Sequence, residues 1–137
     1  MTQTFTIRQI YLKDLSYQAP TGADIFTRDW APKVKVDVKV GHEAVPGGLT
    51  EVVLTLSVTG MNGGATVFMV EVMQAGVFVI DGYEGEALDR LRLGTCPTQL
   101  LPYAREAIDS VLMKGRFPAL ILDPIDFEAN WRTLKTR

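Results

Sequence analysis

Few residues of this chain could do chemistry. His42 is its single histidine and lies in the glycine-rich run GHEAVPGG at 41–48. A Ser–His pair, a Cys–His pair or a histidine metal cluster has little to build on, and a plain loop residue is expected. Cys96 is the single cysteine, so no disulfide forms within the chain. With Pro97 next to it and no second thiol nearby, it reads as a packing residue rather than a nucleophile. Gly60, Gly63 and Gly64 precede a strand pattern instead of a helix N-terminus, which makes them a hairpin and not a phosphate loop. Asp123 and Asp126 suit turn and capping roles, and Arg105 and Glu106 a solvated or paired helix face. No catalytic group, metal or cofactor is expected.

The remaining chemically pointed residue is Glu71, inside the apolar run ATVFMVEVMQAGVFVI at 65–80. At strand period, one face of this run carries Phe68, Val70, Val72, Phe78 and Ile80. The other carries Val67, Met69, Met73, Val77 and Val79. A strand with one wet face alternates apolar with polar, and this one does not. Both faces therefore need cover, from the same chain or from a second copy. A carboxylate at Glu71 needs a partner or an outlet to water. The helices of the chain fall short of covering both faces, so the expectation is a protein that works by presenting apolar surface.

With 137 residues the chain is expected to form one domain, 1–137. Apolar residues make up 47% and charged residues 22%, with a net charge of −2, so no general affinity for nucleic acid or anionic membrane is implied. No apolar run approaches the roughly 20 residues of a membrane span. The start, MTQTFTIRQIYLKD, lacks the apolar core and cleavage site of a signal peptide, and a cytoplasmic protein is expected.

The elements follow from periodicity. A first strand at 5–17 has Phe5, Ile7, Tyr11, Leu15 and Tyr17 on one face and Arg8, Ile10, Leu12 and Asp14 on the other. An irregular connection at 19–32 nevertheless contains Ile25, Phe26 and Trp30. Lys33, Lys35, Asp37 and Lys39 alternate with Val34, Val36, Val38 and Val40 in a second strand. A flexible loop at 41–48 and a third strand at 51–59 follow, and Asn62-Gly63 supplies the tight turn into the run at 65–80. The last third reads as helical. Two turns at 86–93 close on Gly94, and a helix at 102–114 opens on Pro102, carries Ala104, Ile108, Val111 and Leu112 on one stripe, and stops at Gly115. Asp126 caps a final helix with Phe127, Trp131 and Leu134.

Read as words, IYLKDLSYQAP (10–20), DWAPKVKVDV (29–38), EVVLTLSVT (51–59), VEVMQAGVF (70–78), CPTQLLPYAREAI (96–108) and GRFPALILDPIDF (115–127) resemble the SecB family of protein-export chaperones. The resemblance spans nearly the whole chain in order. It implies an α+β fold: a four-stranded antiparallel, Greek-key-like sheet with helices on one side, assembled as a homotetramer that is a dimer of dimers. It further implies a chaperone, not an enzyme, that binds unfolded precursor proteins and delivers them to the SecA translocation ATPase, without nucleotide or metal of its own and without insertion into the membrane. A SecB-like chaperone serving a toxin–antitoxin pair is the alternative.

By matching positions, the resemblance implies a SecA-binding set of Asp14, Gln18, Met69 and Glu71. Gln18 stands where the family has glutamate, and WRTLKTR ends the chain where the family continues into an acidic tail. Both departures bear on SecA, and the charge lost at Gln18 is expected to weaken the steering of SecA. The expected subunit interface pairs Phe68, Val70, Val72 and Gln74 with the helical stripe of Ala104, Ile108 and Val111. The client groove is expected at Phe26, Trp30, Val34, Val36 and Val38, with Leu134 as the opposing wall.

Overall fold

The computed structural model describes residues 2–118, 120, 122 and 124–135, with Leu134 and Lys135 described as backbone alone. β1 (Thr4–Gln18) leads through a short 3-10 helix (Gly22–Thr27) to β2 (Lys33–Val45), β3 (Leu49–Asn62) and β4 (Ala65–Asp81). Then come α1 (Gly85–Arg90), a π-helical stretch (Leu91–Thr95), α2 (Cys96–Lys114) and α3 (Phe127–Lys135). The sheet order is β1-β4-β3-β2, with every neighbouring pair antiparallel. Three consecutive hairpin strands, with β1 placed beside β4 by the 19–32 connection, make the expected Greek-key-like sheet.

Cross-strand partners share a face, so the register sorts the side chains into rows. One row runs Val36, Val58, Val70, Tyr17 and the next Val38, Leu56, Val72, Leu15. These rows face α2. Its Leu100, Ala104, Ile108 and Leu112 are fully buried in one apolar cluster with Leu54, Leu56, Val58 and Val72 of the sheet.

The face expected to be buried between subunits is thus closed within one chain. Phe68, Val70, Val72 and Gln74 are 0–4% exposed, and Ala104 and Ile108 are fully buried. The Gln74 carboxamide donates to the Tyr11 carbonyl at 3.0 Å, so even the polar member is satisfied internally. Of that set only Val111 is half-buried. α2 begins at Cys96 instead of Pro102, and the longer helix covers most of this face, with Phe117 over Phe68.

Three irregularities move side chains from their expected faces. Register shifts between Ile7 and Gln9 and between Leu12 and Asp14 leave Arg8 and Lys13 as extra residues of β1. Each bulge breaks the two-residue period. Ile10 and Leu12 therefore join the α2 face opposite Gly76 and Gln74, while Tyr11 pairs with Ala75 on the outer face. In β4 a shift at Gly60/Met61 makes Val67 an extra residue, buried together with Phe68 instead of lying with Met69. The turn differs as well: Gly63 and Gly64 hold positive φ (60° and 83°) and Asn62 remains in the ladder opposite Ala65.

Other boundaries shift as well. β2 pairs through Val45, so Pro46, Gly47 and Gly48 alone turn the chain and His42 sits in a strand opposite Val52. α2 keeps Pro102 inside it, on the exposed side. Gly94 does not end a helix; a Cβ there would lie 3.2 Å from the Glu128 Cα, so glycine admits α3. The positive φ after α2 belongs to Arg116 (66°), while Gly115 makes room for the Tyr17 hydroxyl. Asp126 caps α3 as expected, accepting from the Ala129 N–H at 3.0 Å.

The outer face is tied by charge. Tyr11 and Lys13 reach from β1 across β4 to Glu51 on β3, the tyrosine hydroxyl donating to one carboxylate oxygen and the Lys13 ammonium to the other at 2.7 Å. Glu51 is 7% exposed. The Lys13 contact, then the Tyr11 contact, hold its carboxyl below the usual carboxylate range.

Ile108→Ala is expected to cost about 2–5 kcal/mol in urea unfolding, as a core cavity does. Val72→Asp should unfold the subunit rather than split an assembly, because a buried carboxylate would lack a partner. Glu51 contributes stability that is present above its ordinary pKa of 4.5 and is lost as pH falls through its lower folded value. Glu51→Gln should therefore be less stable than the parent at neutral pH, with the difference closing on acidification below pH 4.5 in urea melts.

Candidate functional site

The 19–32 connection has no strand or long helix to satisfy its backbone, yet it is fastened at both ends to the β3–β4 hairpin. The Thr21 hydroxyl donates to the Thr66 carbonyl at 2.5 Å. The Asn62 carboxamide donates to the Asp29 carbonyl at 3.0 Å and accepts from the Ala31 N–H at 2.9 Å. Ile25 points inward and is 3% exposed. Phe26 and Trp30 are 60% and 40% exposed. Both stack on Phe117, at centroid distances of 6.1 and 5.5 Å, and Phe117 in turn lies 5.2 Å from Phe68. Phe68 occupies the space above Gly60, where any Cβ would run into its ring.

Val34 pairs with Gly60 and so lies beside this aromatic shelf, itself 39% exposed. Val36 and Val38 continue the row on the same face of β2, half-buried. They line a cleft of about 280 Å³ with Ile125, Phe127, Asn130 and Thr133. The structure thus brings five of the six expected groove residues onto one continuous apolar track, aromatic at one end and aliphatic at the other. The side chain of the sixth, Leu134, lies outside the described residues. Sequence reasoning missed Phe117, which joins the shelf to the core; its place after the Arg116 turn gave no periodic signal.

On the opposite face the register gathers the other expected set. Gln18 pairs with Met69, Ser16 with Glu71 and Asp14 with Met73. Asp14 and Glu71 therefore share one face of neighbouring strands. Glu71 is exposed and accepts from the Ser57 hydroxyl at 3.0 Å. Asp37 pairs with Ser57 on the next strand, adding a carboxylate to this row that sequence reasoning did not include. Met69 is 44% exposed.

Cys96 packs in the core, whereas His42 lies exposed on β2. Cys96 is fully buried, and burial pushes its thiol up to about 12. Burial, then the Arg92 charge, lowers the His42 pKa. Among the described residues no three of His, Cys, Asp and Glu gather as metal ligands; Asp123 lies outside the described residues. Arg105 and Glu106 line an open hollow on the outer side of α2 with Asp109, Met113 and Leu122. Among the described residues no helix is long and apolar enough to cross a membrane.

The family model described as preprotein translocase subunit SecB matches residues 1–137. The protein-export protein SecB of Cellvibrio japonicus is 49% identical over 125 residues, covering 91% of this chain and 75% of that one. Its counterpart from Ectopseudomonas mendocina is 45% identical over 125 residues, covering 91% and 78%. Among solved structures, a SecB-like chaperone of Mycobacterium tuberculosis in complex with an antitoxin peptide matches with a TM-score of 0.70 at 18% identity, covering 88% of this chain and 90% of that one. At that identity the structural likeness speaks for the fold alone. The family match over residues 1–137, carried by relatives of this identity and coverage, shows that the chain belongs to the SecB family.

Proposed function

We infer that this chain is a protein-export chaperone that binds unfolded precursor polypeptides and keeps them competent for translocation. It is not an enzyme. The observation that carries the reading is the apolar track from Phe26 and Trp30 along Val34, Val36 and Val38. Unfolded clients share no sequence, so their site must accept any apolar side chain. Burial of apolar surface does so, being non-directional and worth roughly 25 cal/mol per Å². Relatives named for export favour this reading over a chaperone dedicated to a toxin–antitoxin pair, since the antitoxin-peptide complex is only 18% identical.

The finer parts of the reading are a homotetramer, built as a dimer of dimers, and delivery to SecA. The exposed Tyr103 and Met113 on the outer side of α2 support an interface there rather than on the face α2 covers. Asp14 and Glu71, beside Met69 and Gln18, support an acidic docking surface for SecA on the outer face, with Asp37 paired to Lys35 at its margin. Charges at such a rim steer encounter and lose strength with salt.

A Phe26→Ala, Trp30→Ala double variant is expected to bind an unfolded precursor about tenfold more weakly by titration calorimetry, with light scattering and melting temperature unchanged. Unchanged client affinity would move the groove elsewhere. Glu71→Lys should abolish SecA binding in a pull-down while client affinity and oligomer size stay as they are. SecA capture at the parent level would show that the patch is wrong.

A further inference from the structure

We propose that Asn62 is a positioning residue for the recognition of aromatic side chains in unfolded clients, acting through Trp30. The proposal rests on the groove reading above. Asn62 is 4% exposed at the end of β3, and its carboxamide contacts the backbone on both sides of Trp30: the Asp29 carbonyl and the Ala31 N–H. A donor and an acceptor in one planar group imitate a peptide unit, so an irregular segment receives the ladder bonds of a strand at this one residue. The two bonds fix the backbone from which the Trp30 ring projects. One side of the ring rests near Phe117 at 5.5 Å, and its 40% exposure leaves surface for a client ring. Offset stacking of rings adds to area burial, so a held indole favours phenylalanine, tyrosine and tryptophan over aliphatic residues of similar size. Asparagine alone fits: aspartate lacks the donor, glutamine is one methylene longer, and serine reaches only one partner.

The test uses Trp131→Phe as background, leaving Trp30 as the one tryptophan of the two in the chain. Two unstructured peptides serve as probes, one bearing phenylalanines and the same peptide with leucine in their place. Asn62→Ala is expected to red-shift Trp30 emission, raise its quenching by iodide, and weaken the phenylalanine peptide roughly five- to tenfold while changing the leucine peptide less than about twofold. Combined with Trp30→Ala it should add no further loss, because both substitutions remove one device. If Asn62→Ala does not fold, Asn62→Asp, which keeps the acceptor and loses the donor to Asp29, is read in the same way. If Trp30→Ala itself leaves both affinities unchanged, the groove reading fails. If Trp30→Ala weakens the phenylalanine peptide but Asn62 substitution moves neither Trp30 emission nor selectivity, the positioning role alone is overturned. A lower melting temperature with selectivity intact would likewise make Asn62 merely structural.

Discussion

Leu100, Ala104, Ile108 and Leu112 of α2 lie buried with Leu54, Leu56, Val58 and Val72 of the sheet, and the rest of the molecule is arranged around that contact. A leucine, isoleucine or valine in such a place contributes about 1.5–3 kcal/mol when fully buried. Geometry limits what one helix can do. An α-helix with its side chains is about 10 Å across, whereas four strands spaced about 4.8 Å apart make a wider surface. α2 sits over β4 and β3 and leaves the β2 side of the same face incompletely covered. The 19–32 connection and the segment leading into α3 close part of the remainder. The apolar track is what this partial closure leaves open.

The two faces of the sheet accordingly offer two kinds of contact. On the α2 side the accessible groups are aromatic rings and valines, whose attraction depends on area and hardly on direction. On the outer side the exposed groups are mostly charged: Glu71 and Asp37 lie with Lys33, Lys35 and Lys39 beside the Met69 thioether, and Glu51 is already held by Lys13 and Tyr11. The outer face is therefore not uniformly acidic. Glu71 and Asp37 alternate there with the lysines of β2, which makes this surface directional where the apolar track is not.

Much of this was legible in the sequence because period-two alternation survives wherever the ladder is regular. Val34 to Val40 fell where alternation put them, as did Asp14, Met69 and Glu71 on one face. The misses share a cause. Bulges at Arg8, Lys13 and Val67 insert one residue without any compositional mark, so Tyr11, Ile10, Leu12 and Val67 changed faces. Pro102 suggested a helix start, but a proline on the exposed side of α2 is tolerated within it, and the longer helix then covered the face assigned to a partner subunit. Asn62 looked like a turn residue by its neighbour Gly63, and its role through two side-chain bonds across 31 and 33 residues is invisible to local pattern.

β1 is an edge of the sheet and 15 residues long. An edge of that length is a template for cross-β growth, and the danger is greatest for a protein that keeps unfolded chains close at hand. Its two bulges divide the edge into short regular runs, and the residues they insert are Arg8 and Lys13. An extended chain approaching this edge would lose register after a few residues and meet the charge of Arg8 at the first break. The irregularities that confound a reading of the strand thus also make it a poor seed for aggregation.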